Sequence, residues 1–171
     1  MIEFDSKTVA SGPSSPTFVR AVADPVDREI LARLAADGRL ANNALAAAVG
    51  VAPSTCLARV RQLRDMGAIR GFHAEIDPAA LGLPLQAMIA VRLQAAARAA
   101  MGDFQDRMRL SPQVRDIFFL AGADDFLLHV AAADPAALRD FVVELSARPE
   151  VAHTETNLIF EHVRGSFGAA G

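Results

Sequence analysis

A chain of 171 residues with 52% hydrophobic composition and a formal net charge of −3 can hold one ordinary domain or two small ones, with ample material for cores. The acidic balance argues against a protein that coats nucleic acid by charge alone, and no apolar run nears the roughly 18 residues needed to cross a bilayer. The single cysteine, Cys56, excludes an intramolecular disulfide and a cysteine-rich metal site.

The N-terminus lacks a basic head followed by an apolar stretch, so the expected compartment is the cytoplasm. Residues 1–23 contain Ser11-Gly12-Pro13-Ser14-Ser15-Pro16 and show no period, and are expected to be a flexible tail. Asp24-Pro25-Val26-Asp27 reads as a helix start, a capping carboxylate followed by Pro at the first helical position. Val26, Ile30, Leu31 and Leu34 give that helix its buried face, and Gly38 ends it. Leu45, Ala48 and Val49 then repeat at helical spacing, Gly50 breaks the pattern, and Pro53 restarts it.

Two short helices about such a turn are the anatomy of a helix-turn-helix. In the second of them Cys56, Val60 and Leu63 fall on one inward stripe. Ser54, Thr55, Ala58, Arg61 and Gln62 point outward, with Arg59 at the flank. This face is small, polar and basic, and suits a major groove, where Arg and Gln reach base edges. Cys56 on the inward stripe is expected to pack rather than react. Ile69 to Ile76 alternates like a short strand or wing. Residues 24–76 are thus expected to form a winged helix-turn-helix, and 77–84, with Asp77-Pro78 and Gly82-Leu83-Pro84, a linker.

The second half has another rhythm. Leu85, Ala87, Ile89, Val91 and Leu93 alternate as a strand does, and Met101, Phe104 and Met108 mark a helix ended by Ser111-Pro112. Arg115–Leu120 and Phe126–Ala131 are strands joined by a tight turn. Asp134-Pro135 repeats the helix-start device, Leu138, Phe141, Val142 and Leu145 form its stripe, and Val151–Val163 reads as the last strand. Strand, helix, strand, strand, helix, strand is the split βαβ order of a ferredoxin-like domain, expected over 85–165 with a tail at 166–171. Two helices cover one face of such a sheet; the other needs a second layer, which predicts dimerisation. The fold class is α+β.

Charge follows this division. Residues 51–76 carry Arg59, Arg61, Arg64 and Arg70 against Asp65 and Glu75, whereas 84–171 carry eight Arg against eleven Asp and Glu. His73, His129, His153 and His162 show no metal-ligand spacing, and no phosphate loop, nucleophile elbow or Cys-His pair is present. No catalytic residue, metal or cofactor is expected.

In this order and spacing the chain resembles the Lrp/AsnC, or feast/famine, family of transcription factors from about Asp24 to Gly165. The carrying pieces are Asp27-Arg28-Glu29-Ile30-Leu31, Asp37-Gly38-Arg39, Val51 to Val60, Gly67-Ala68-Ile69-Arg70-Gly71-Phe72, Gly122-Ala123-Asp124-Asp125-Phe126 and Pro149-Glu150-Val151 running to Thr154-Glu155-Thr156. The resemblance implies a winged helix-turn-helix joined to a regulatory (RAM) domain that pairs its sheet into a homodimer, with assembly to tetramers or octamers. Its partners would be double-stranded DNA and a small effector, usually an amino acid, bound between dimers. Ser54, Thr55, Arg59, Arg61 and Gln62 would read or position on the groove, with Arg70 and His73 at the wing on phosphates. Gly122, Ala123, Asp124 and Asp125 match the family's effector turn, and Thr154, Thr156, Asn157 and Leu158 its second element.

On physical grounds Gly122 permits positive φ and close approach, turn N–H groups can hold a carboxylate, and Asp125 can take an ammonium or simply cap the turn. Taken alone, a Gly and two Asp between strands make a solvated turn. Family members often carry Ser or Thr where Ala41 and Ala52 stand here, which removes two capping oxygens; Asn42 is a substitute cap for the second helix. Two alternatives share the architecture. One is a sirohaem-decarboxylase-like enzyme using His129 and Arg115; the other is an effector-binding module with a vestigial DNA-binding domain.

Overall fold

The computed structural model describes Val22, residues 24–163 and Gly165. The expected tails lie outside the described residues, Val22 apart. The described chain forms two compact units that divide between Glu75 and Ile76.

In the first unit α1 spans Pro25–Ala36, α2 Asn42–Val49 and α3 Pro53–Asp65. The Asp24 carboxylate accepts from the amides of Val26 (2.8 Å) and Asp27 (3.1 Å), satisfying two of the donors a helix start leaves unpaired. Gly50 ends α2 in the left-handed conformation (φ 71°) that only glycine adopts without strain. The axes of α2 and α3 meet at 98°, within the range of a helix-turn-helix. Ala41 and Ala52 make no side-chain cap, as their methyl groups dictate. Asn42 does not cap α2 as expected: its Nδ2 donates to the Pro53 carbonyl at 2.9 Å, tying the start of α2 to the start of α3.

Ile30, Leu45, Ala46, Cys56 and Leu63 form the buried centre of this unit, with Val22, Val26, Leu31, Leu34, Val49 and Val60 packed around it. Ala48, expected on the inner stripe of α2, is exposed, and Ala46 takes the inner place. The expected strand over Ile69–Ile76 has no ladder in the single chain; residues 70–77 carry no regular secondary structure. The described part of this unit is otherwise helical, so the segment finds no second strand to satisfy its N–H and C=O groups.

The second unit opens with a short 3₁₀ turn, Pro78–Leu81, capped by the Asp77 carboxylate. There follow β1 (Leu85–Leu93), a second 3₁₀ turn (Ala95–Ala100), α4 (Met101–Arg109), β2 (Val114–Phe119), β3 (Phe126–Ala132), α5 (Pro135–Ser146) and β4 (Val151–Ile159). The last strand stops at Ile159, four residues short of expectation. The sheet order is β2-β3-β1-β4, antiparallel throughout, the ferredoxin-like arrangement the element order predicts.

Strand alternation divides the sheet into two faces. Ala87, Ile89, Val91 and Leu93 of β1 and Phe126, Leu128, Val130 and Ala132 of β3 point to one side, where Phe104 and Met108 of α4 and Leu138, Phe141 and Leu145 of α5 close over them. The Phe104 and Phe126 rings lie 5.0 Å apart at the centre of this core. Residues of the opposite parity face away from both helices. Across that open face Phe118, Leu127, Ala90 and Glu155 stand in one row, and Asp116, His129, Met88 and Asn157 in the next.

Candidate functional site

The inward stripe of α3 is as expected: Cys56 and Leu63 are buried and Val60 is half-buried. Burial also pushes the Cys56 thiol above its ordinary pKa, the environment of an inert packing residue. Ser54, Thr55, Ala58, Arg61 and Gln62 are all exposed. Among the described residues none of these side chains has a hydrogen-bond or ion-pair partner.

Arg59 is placed differently. Its guanidinium lies 2.8 Å from Asp27 and 3.2 Å from Asp24, so it bridges α3 to the start of α1. Both carboxylates hold the Arg59 pKa above its ordinary value. The Asp24 pKa is lowered, first by the Asp27 amide and then by Arg59. The sequence placed Arg59 at the flank of the outward face; its partners lie 32 and 35 residues away, beyond the reach of any local pattern.

After α3, Arg70 is exposed, as are Phe72 and His73. Leu31, Leu34 and Ala35 of α1 and residues 68–73 line an apolar groove of about 600 Å³. Arg61, Arg64, Asp65, Ile69 and Arg70 line a smaller polar concavity of about 270 Å³.

In the second unit, Gly122 to Asp125 form the β2–β3 turn. Gly122 does not use the freedom expected of it: the glycines with positive φ among the described residues are Gly50, Gly67 and Gly82. A Cβ at Gly122 would meet nothing within 4 Å. Asp125 is not free to receive an ammonium. Only 7% exposed, it accepts from the Leu93 amide at 2.8 Å through Oδ2 and pairs with Arg98 at 3.3 Å through Oδ1. In the single chain its carboxylate ties the turn to the end of β1 and to Arg98, and among the described residues it makes no side-chain bond to the turn it was expected to cap. Arg92 completes the frame, donating to the Ala123 carbonyl at 2.8 Å and reaching Asp124 at 3.4 Å.

Phe126 pairs across the sheet with Val91, and Val91 with Thr154, so the turn and Thr154 share one end of the sheet with β1 between them. Thr154 Oγ1 meets the Ser146 hydroxyl at 2.8 Å. Thr156, Asn157 and Leu158 run toward the other end, opposite Ile89, Met88 and Ala87. Asn157 also faces away from the helices, on the other side of the sheet from Thr154, Thr156 and Leu158. One chain thus does not gather all eight expected effector residues into one site.

His129 sits on the open face, with Nδ1 3.0 Å from Asp116 and Nε2 2.9 Å from Gln86, and its ring 6.4 Å from that of His162. This network escaped the sequence reading because its members come from three strands. Among the described residues no group of three or more His, Cys, Asp or Glu is placed to hold a metal ion, and no single helix is long and apolar enough to cross a membrane.

A three-helix unit with an exposed, polar and basic α3, followed by a βαββαβ unit, defines a class, and the two halves match family descriptions separately. Residues 24–64 match the AsnC-type helix-turn-helix domain and residues 86–167 the Lrp/AsnC ligand binding domain. The chain belongs to the Lrp/AsnC family of helix-turn-helix transcriptional regulators. It is 59% identical to the HTH-type transcriptional regulator AldR of Mycobacterium tuberculosis, over 90% of this chain and 86% of that one. It is 55% identical to the AldR of Mycolicibacterium smegmatis, over 97% and 98%. The crystal structure of MtbAldR superposes with a TM-score of 0.72 at 56% identity, covering 83% of this chain and 95% of that one. A Neisseria meningitidis transcriptional regulator in complex with L-Met superposes at 0.77 with 32% identity, covering 86% and 96%. The relatives are named as regulators, and none of those compared supports the enzyme alternative.

Proposed function

We propose that the chain is a sequence-specific regulator that binds double-stranded DNA through α3, pairs as a homodimer with further assembly to tetramers or octamers, and answers to an amino acid or related small effector bound between dimers. It acts in the cytoplasm, where its DNA is. The observation that carries this reading is the unspent outward face of α3. Cys56, Val60 and Leu63 are engaged in the core and Arg59 in its bridge, while Ser54, Thr55, Ala58 and Gln62 present short or hydrogen-bonding side chains to solvent. Such a face lets the backbone approach a groove floor, where Gln62 suits an adenine edge and Ala58 a thymine methyl. Arg59 then acts by positioning: it fixes the reading helix on α1.

Support for the effector comes from the match of residues 86–167 to a ligand binding domain and from the L-Met bound to the Neisseria relative. Arg92 and Arg98 are the cations at the turn, paired in the single chain with Asp124 and Asp125; by exchanging those partners they would take the carboxylate end of an amino acid. Its ammonium would be met by Asp124 or by groups of a neighbouring subunit.

Selection of binding sites from a random duplex library with the full chain tests DNA reading. The expected result is one enriched motif, blurred at one position by Gln62→Ala; no enrichment would leave an effector-binding module without DNA reading. A thermal-shift series over the twenty amino acids tests the effector, since a ligand of the folded state raises its melting temperature by mass action. At least one amino acid should do so and alter the mobility of the DNA complex.

A further inference from the structure

Arg61, Arg64 and Arg70 share one concavity at the far end of α3. Among the described residues none of the three has a hydrogen-bond or ion-pair partner. Of the other described arginines, Arg33, Arg59, Arg92, Arg98, Arg107, Arg139 and Arg148 each hold a carboxylate, while Arg28, Arg39, Arg109 and Arg115 hold none; it is the shared concavity that sets these three apart. Asp65, also lining the concavity, is exposed and likewise unpaired. Three cations and one anion thus converge on a space of about 270 Å³, a surface of net positive charge with donors to spare. Guanidinium forks match the paired oxygens of a phosphodiester.

Position on the helix decides what they meet. A recognition helix places its N-terminal residues on base edges. At ~1.5 Å per residue, Arg61 and Arg64 stand roughly 10 and 15 Å along the axis from Ser54. Gln62 stands at a similar height, but at ~3.6 residues per turn it falls on the side of Thr55 and Ala58, whereas Arg61 and Arg64 turn to the opposite edge of the outward face, where Arg70 meets them and the groove wall would lie. Arg70, on the segment after α3, closes the same concavity from outside the helix.

We propose that Arg61, Arg64 and Arg70 form a phosphate clamp on the DNA backbone, so that Arg61 fixes register rather than reading a base and Arg64 joins the interface. The proposal rests on the DNA-binding reading above. It assigns sequence discrimination to Ser54, Thr55, Ala58 and Gln62 and affinity to the three arginines.

The test is the equilibrium binding of the full-length protein to a duplex carrying the selected motif and to a scrambled duplex, each at several KCl concentrations. Alanine replaces Arg61, Arg64 and Arg70 singly. Each variant should weaken both duplexes by a similar factor and lower the slope of log affinity against log salt by about one. Arg64→Lys should restore most of the slope, and Asp65→Asn should tighten both duplexes. Unchanged melting curves for these exposed variants separate loss of contact from loss of fold.

A slope unchanged in Arg64→Ala, or a preference for the motif that collapses in Arg61→Ala, overturns the clamp while leaving DNA binding intact. A parent protein that binds neither duplex overturns the DNA reading and the clamp together. In a third arm, inorganic phosphate is titrated at constant ionic strength. Stabilisation of the parent but not of the triple variant, with salt slopes unchanged, would make this a site for a free anion and not for DNA.

Discussion

At the scale of single residues, two side chains do something other than their type suggests. Arg59 lies on the reading helix yet is held by Asp24 and Asp27. Arg59→Ala should therefore lower the melting temperature as well as DNA affinity, whereas Gln62→Ala should affect affinity alone. The Asp24 pKa is depressed in the folded chain. Its contribution to stability is thus fully present above the ordinary value of 3.8 and is lost as the pH falls through the lower folded value. Thermal melts of parent and Arg59→Ala should differ at neutral pH and converge below pH 3.8.

Gly122 offers the opposite case, a glycine whose freedom the backbone does not spend. Gly122→Ala should leave the melting curve unchanged and still weaken the response to an effector that approaches the turn closely. An unaltered response would move the ligand away from this turn. Cys56, buried with a raised thiol pKa, should resist a thiol reagent at pH 8 in the native protein and react promptly once the chain is unfolded.

At the scale of elements, α2 and α3 begin without side-chain caps, on Ala41 and Ala52. The extended backbone at Ala52 (φ −65°, ψ 146°) is the conformation an N-cap serine needs. Ala52→Ser should therefore stabilise the first unit by about 1 kcal/mol, read from chemical denaturation followed by helix signal. Truncating Ile30, fully buried among three helices, should cost about 2–5 kcal/mol in the same measurement.

These elements were the most legible part of the sequence. Asp-Pro starts, the Gly50 stop and inward stripes are local signals that need no knowledge of the fold, and α1, α3, β1 and α5 follow them closely. Strand pairing between distant segments also followed, because the element order admits few topologies. What stayed hidden depends on partners far away in sequence. Asn42 holds the Pro53 carbonyl, Arg59 crosses to α1, and Asp125 closes on Leu93 and Arg98. The strand expected at Ile69–Ile76 fails for a related reason: alternation shows that a segment can be a strand, but only a neighbouring strand makes it one. Of the candidate site, the outward face of α3 was legible and the loss of Arg59 from it was not.

At the scale of the whole molecule, one protein carries two separately built units, each with its own buried cluster. Damage to the Ile30 cluster should leave the βαββαβ unit folded, so the Ile30→Ala protein should abolish DNA binding yet keep its size by light scattering. The open sheet face should behave conversely. Leu127→Asp, at the centre of the row Phe118, Leu127, Ala90 and Glu155, should reduce the species seen by light scattering toward a single chain while each unit keeps its helix signal.

The helices α4 and α5 shield only one side of the sheet, and this has a consequence for how the protein is counted in a cell. If a second chain supplies the missing layer, folding and pairing share one equilibrium, and the number of active molecules rises faster than the amount synthesised. Half the protein would then give less than half the regulator. The melting temperature would climb with concentration, and promoters served by this chain would be tuned by its abundance as well as by any small molecule it binds.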